Sequence, residues 1–138
     1  MAELPDEAVE MFNNENCEKD KPLIWVSTVG TDSIPHAVPV CFGKVIDKDK
    51  ILLSVNFITQ TTRNIKMGSM VSVSVAVPYD GYMAVGNGQV LTSGELFDDS
   101  AERVKKRFGG KIEPKAAILV EVQRIFRLAP KPGKKEIT

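Results

Sequence analysis

Apolar and polar positions alternate with a period of two over much of the chain, most strictly in residues 70–77. There Val71, Val73, Val75 and Val77 share one face, and Met70, Ser72, Ser74 and Ala76 share the other. The valine face suits a core. The second face is small enough for another backbone, a helix or a flat ligand to lie against it. Residues 23–29, rich in β-branched and aromatic side chains, read as a strand ended by the turn Gly30-Thr31-Asp32-Ser33. Apolar runs at 37–46 and 51–57 follow, separated by Asp47-Lys48-Asp49-Lys50. Three apolar runs joined by two short polar turns predict an antiparallel meander. Beyond the turn Pro78-Tyr79-Asp80-Gly81, residues 82–92 form a longer strand, in which Gly86 and Gly88 predict a bulge or sharp bend. A last strand at 117–128 is closed by Pro130 and Pro132.

Helical spacing appears in three places. Residues 6–13 place Val9 and Phe12 on one stripe beside Ala8 and Met11, after a proline suited to a first turn. Residues 61–67 are a short helix approached through Thr59-Gln60-Thr61 and stopped by Gly68. Residues 100–108 align Ala101, Val104 and Phe108; Asp99 and Glu102 have the spacing of a helix start, and Gly109-Gly110 ends the helix. About six strands with peripheral helices and no βαβ alternation argue against a parallel Rossmann sheet. They favour a closed or nearly closed antiparallel barrel. No repeat or linker divides residues 1–138, so one domain is expected, with an N-terminal helix region at 1–20 and a flexible tail at 131–138.

Charge narrows the function classes. Eighteen Lys and Arg balance eighteen Asp and Glu, and only 7% of residues are aromatic. A nucleic-acid partner or a membrane surface would call for a basic excess, so neither is expected. The charge is uneven: residues 1–20 are acidic and 102–115 basic, as two solvated faces, a basic wall beside an anion, or a mutual pairing would each require. Cys17 and Cys41 stand far apart and in no CxxC pair, which argues against a disulfide framework or a cysteine zinc site and for a reducing, cytoplasmic home. His36 is the sole histidine, so no metal site built on two imidazoles is available. The acidic N-terminus lacks a signal-peptide apolar run, and no stretch approaches a membrane span.

The richest local chemistry lies at residues 51–65. A period of two turns Ile51, Leu53, Val55 and Phe57 inward and Ser54 and Asn56 outward. Two adjacent polar groups on a strand can hydrogen-bond the edge of a flat heterocycle. The hydroxyl-rich helix start that follows can hold a phosphate. The same residues also serve a plainer purpose: Thr59 or Thr61 can cap the helix, and Asn56 can end the strand in a turn.

Several motifs resemble one known family. Pro35-His36-Ala37-Val38-Pro39-Val40-Cys41-Phe42, Ile51-Leu52-Leu53-Ser54-Val55-Asn56-Phe57, the Thr61-x-x-Asn64-Ile65 element, Gly81-Tyr82 and Gln89-Val90-Leu91-Thr92-Ser93-Gly94-Glu95 are similar, in order and spacing, to the pyridoxamine-phosphate-oxidase-like FMN-binding split barrels. The resemblance covers residues 22–128. It implies a six-stranded antiparallel split β-barrel of Greek-key type, assembled as a homodimer with two FMN sites at the interface. It implies further that the ring lies along Val38, Pro39, Val40, Cys41 and Leu53, Ser54, Val55, Asn56, and that the phosphate lies near Thr59, Gln60 and Thr61 with Asn64 close by.

The chain departs from that family where a phosphate needs cations. Gln60 stands where a lysine is common, and Val85 where a basic residue is frequent. Each lost charge-assisted bond is worth roughly 1.5–3 kcal/mol. Arg63, Lys66 or a partner lysine can compensate. Elsewhere, His36 reads as a partly exposed packing residue, Cys41 as a small buried apolar residue, and Trp25 as core or dimer interface, with stacking on a flavin a further option. Arg127-Leu128-Ala129-Pro130 is similar to the close of true pyridoxamine-phosphate oxidases, yet the chain is short for that enzyme and the activity is not carried over. The expectation is an FMN flavoprotein, an oxidoreductase or electron carrier. The alternative is a non-enzymatic split-barrel binding module with weak or altered cofactor binding, of another flavin or haem.

Overall fold

The computed structural model describes residues 2–55, 59–130 and 136–137. Chain order is α1 (Asp6–Phe12), β1 (Ile24–Val29), β2 (Pro35–Val40), β3 (Gly43–Ile46), β4 (Lys50–Val55), α2 (Gln60–Lys66), β5 (Met70–Val77), β6 (Asp80–Leu91), α3 (Glu95–Arg107) and β7 (Ala116–Arg127). The strands form one antiparallel sheet in the order β2-β1-β5-β6-β7-β4-β3.

This order dictates the shape. β2 and β3 lie at opposite edges of the sheet, yet only Cys41 and Phe42 separate them in the chain. The sheet must therefore curl until its edges meet, giving a half-barrel with a seam between β2 and β3. The run at 37–46 is thus two strands, which raises the count from six to seven and replaces the meander with two hairpins, β1–β2 and β3–β4, at opposite edges. The break is set by tertiary pairing. Gly43 exchanges two backbone hydrogen bonds with Asn14, at 2.8 and 3.0 Å, and leaves β2's line to pair with β4.

Alternation fills the barrel largely as expected, but Val77, at the end of β5, is exposed and not part of the core. Val71, Val73 and Val75 of β5, Ile24 and Val26 of β1, and Ile51 and Leu53 of β4 are buried in one core with Ile118, Val120 and Val122 of β7. Leu4, Ala8 and Phe12 of the α1 region close one end; Val9 and Met11, placed on the stripe by spacing, are only partly buried. Full burial of a side chain such as Phe12 contributes roughly 1.5–3 kcal/mol. Tyr82 reaches from β6 to this end and donates its hydroxyl to Glu7 Oε2 at 3.0 Å. Burial, then the bond to Glu7, pushes its phenol above the ordinary value. A bulge falls opposite Gly86, but its extra residue is on β7 and not in β6: Val85 pairs with Arg124 and Gly86 with Val122, leaving Gln123 extra.

α3 starts at Glu95, five residues before the expected start, from Gly94 in the left-handed region (φ 99°). Asp99 and Glu102 are therefore interior, not a helix start. Leu96 and Phe97 pack on Leu52, Ala117 and Leu119, so α3 covers the outer face of β4 and β7. The acidic and basic segments meet at one point, where Arg103 approaches Glu15 at 3.8 Å. The expectation of a flexible tail at 131–135 and 138 lies outside the described residues.

Candidate functional site

The seam carries a cavity of about 290 Å³, open on one side. β2 contributes Val38, Pro39 and Val40, the connection to β3 contributes Cys41 and Phe42, β4 contributes Ser54 and Val55, and the approach to α2 contributes Thr59 and Thr61. Eight of the twelve residues singled out from sequence meet there. Leu53 is not among them: the periodicity that brings Ser54 to the cavity turns Leu53 into the core. Gln60 is exposed, its amide donating to Asn64 Oδ1 at 2.7 Å and accepting from Arg63 at 3.3 Å. Asn64 is buried and donates to Thr28 Oγ1 at 3.0 Å, so it ties α2 to β1. Asn56, like the inward expectation for Phe57, lies outside the described residues.

Most of the lining is apolar, which suits the faces of a ring system. Its polar atoms differ in availability. Ser54, expected to face outward, does point away from the core, but α3 covers it and its hydroxyl is bonded to that of Ser100. Thr62 Oγ1 accepts from the Thr59 N–H at 3.0 Å and closes the first turn of α2. Thr61 is different. It is 1% exposed, and its hydroxyl has no hydrogen-bond partner among the described residues. An unpaired buried hydroxyl costs about 1–3 kcal/mol. A ligand oxygen in the cavity would remove that cost, so the polar chemistry of the lining fits a group with a hydrogen-bonding edge or tail.

Two aspects were not legible in the sequence. Phe42 lines the cavity and packs edge-on against Phe108, just past the end of α3, centroids 6.1 Å apart. Cys41 is joined to Cys17 by a disulfide, Cα atoms 4.8 Å apart. The expectation that both cysteines stay unpaired is thereby overturned, and Cys41 is partly exposed at the seam instead of buried as an apolar residue. Spacing gave no sign because the curl of the sheet brings the loop after α1 to Cys41. With the two cysteines bonded, their spacing does not indicate a reducing compartment. His36 takes an alternate, partly buried position in β2, and its Nε2 is buried without a partner among the described residues.

Outside the cavity, the sheet carries an uncovered face. Paired registers align Pro39, Trp25, Ser74, Met83 and Phe126 in one row across β2, β1, β5, β6 and β7, and Ala37, Ser27, Ser72, Val85 and Arg124 in the next. Trp25 is 45% exposed and not a core residue. The one charge in these rows, Arg124, is held by Glu136 through two bonds of 2.8 Å. Pro39 belongs both to this face and to the cavity rim.

The sequence profile described as pyridoxamine 5'-phosphate oxidase matches residues 4–133. The chain belongs to that family. Across the pyridoxamine 5'-phosphate oxidase family and its fold, an uncharacterised protein of Methanocaldococcus jannaschii is 26% identical over 135 residues, 96% of this chain and 85% of that protein. The crystal structure of HupZ from Group A Streptococcus superposes with a TM-score of 0.74 at 25% identity, covering 96% of this chain and 98% of that one. An FMN-binding protein of Syntrophomonas wolfei shares the fold at a TM-score of 0.71 and 17% identity, covering 91% and 89%. No Lys or Arg lines the cavity among the described residues.

Proposed function

We propose that the chain is a flavoprotein that binds FMN in the seam cavity and acts as an oxidoreductase or electron carrier, in the cytoplasm, as a homodimer. The observation that carries the reading is the orphaned Thr61 hydroxyl, buried beside an apolar cavity in a member of this family. Val38, Pro39, Val40, Cys41, Ser54 and Val55 would flank the ring, and Thr59 and Thr61 would receive the phosphate. FMN supplies a ring that takes up and returns two electrons; the chain supplies orientation and shields the ring from water. No helix among the described residues is long and apolar enough to cross a membrane.

A second copy completes the site in this reading. A cavity of 290 Å³ lies at the lower limit for a small-molecule pocket, roughly 300–1,000 Å³. The Trp25 face, nearly uncharged and continuous with the rim through Pro39, is where a second wall would dock. Trp25→Glu is expected to weaken self-association about 30-fold or more, as loss of a tryptophan hot spot does. Sedimentation equilibrium checks it; a wild-type protein of single-chain mass would remove the second wall.

The exposed, amide-bonded Gln60 favours a second reading, a binding module for another flavin or haem. Titration of the purified protein with FMN and with riboflavin separates the two. Tighter binding of FMN supports a phosphate subsite, and Gln60→Lys should then tighten FMN by about tenfold or more, the worth of one charge-assisted bond. Equal, weak affinity for both flavins, or preference for haem, would favour the module.

A further inference from the structure

We infer that Cys17–Cys41 is a redox-active disulfide that exchanges two electrons with the ring in the seam cavity, an inference that rests on the FMN reading. Three observations lead there. Cys41 lines the cavity, so any ring filling it shares a wall with one sulfur residue of the pair. Both cysteines are partly exposed, so neither is sealed in the core, and thiol–disulfide chemistry depends on such access.

The third concerns what holds the cysteines together. A purely structural crosslink is expected where little else joins two segments. Here other bonds already pin the Cys17 loop. Asn14 and Gly43 exchange backbone hydrogen bonds at 2.8 and 3.0 Å. Asn13 Oδ1 accepts from the Val45 N–H at 2.7 Å, and Asn14 Oδ1 accepts from the Glu18 N–H at 2.8 Å, spanning the loop around Cys17. Glu15 lies 3.9 Å from Lys44 and 3.8 Å from Arg103. The S–S bond can therefore open while both thiols stay in place to close again, which a reversible couple requires.

The step balances without a further reagent. Dihydro-FMN loses two electrons and two protons and becomes FMN; the S–S bond breaks, and each sulfur gains one electron and one proton to become a thiol. The reverse step oxidises the dithiol and reduces FMN. The relative potentials of the two couples set the direction.

The test runs both directions without oxygen. In one arm, disulfide protein receives one equivalent of dihydro-FMN. In the other, dithiol protein, freed of reductant, receives one equivalent of FMN. Flavin absorption reports the ring, alkylation with mass readout counts thiols per chain, and co-elution on gel filtration reports binding separately. In the favoured arm, flavin oxidation state and thiol count should change together, two thiols for each flavin. The Cys17→Ser variant, which leaves the cavity lining unchanged, should bind FMN, keep its fold by circular dichroism and leave added dihydro-FMN reduced. Flavin that co-elutes while neither arm alters the thiol count overturns this inference and leaves the FMN reading standing. Flavin that fails to co-elute overturns both.

Discussion

Thr61→Val is expected to weaken FMN binding by about 10–150-fold and, in the same protein, to make the ligand-free form more stable. The two signs have one cause. Without ligand, the wild-type hydroxyl is buried and unpaired among the described residues, at a cost of about 1–3 kcal/mol. Valine removes that polar atom at similar shape and with similar helix propensity. With FMN bound, the proposed bond from Thr61 to a phosphate oxygen is charge-assisted and worth roughly 1.5–3 kcal/mol, which sets the expected loss of affinity. Urea denaturation of ligand-free protein and FMN titration read the two effects independently. Unchanged FMN affinity would move the phosphate away from Thr61. A destabilised ligand-free variant would mean that the hydroxyl already has a partner within the chain.

The site was legible in sequence to the extent that it depends on local periodicity. Alternation separated Leu53, inward, from Ser54, turned to the cavity, and the hydroxyl-rich stretch before α2 marked Thr59 and Thr61. What escaped depends on tertiary closure. Ser54 was expected to face a ligand freely, but α3, arriving from forty residues further along, covers it with Ser100. The break after Val40 is invisible in a continuous apolar run, because Asn14 causes it by pairing with Gly43. The Cys17–Cys41 bond follows from that same closure. Asn64, placed by its motif near the phosphate, is buried against Thr28 because α2 packs on β1 through it. The early start of α3 at Glu95, set by the left-handed Gly94, is not visible in the apolar spacing of Ala101, Val104 and Phe108.

Gly86→Ala should cost about 3 kcal/mol or more, and Gly88→Ala clearly less, although both glycines lie in β6 and each substitution adds a single methyl. A side chain at Gly86 would run into the carbonyl of Glu121, with Val122 Cα at 3.1 Å. Those are backbone atoms of β7, and they cannot retreat without disrupting the ladder that runs from Tyr82–Arg127 to Leu91–Ala117. At Gly88 the nearest atoms are the side-chain methyls of Val71, at 2.6 Å, and Ile65, at 3.3 Å, which adjust at the ordinary price of a tight core, about 1–3 kcal/mol. The bulge explains why β7 comes so near at Gly86: the extra residue Gln123 bends β7 toward β6 just where the pairing jumps from Arg124 to Val122. At this chain length the Gly86→Ala loss corresponds to a fall in melting temperature of roughly 10 °C. Thermal and urea unfolding of both variants measure it. Equal losses would show that the close approach of β7 at Gly86 costs no more than ordinary core crowding, and the curl that brings the seam together would then owe less to this bulge.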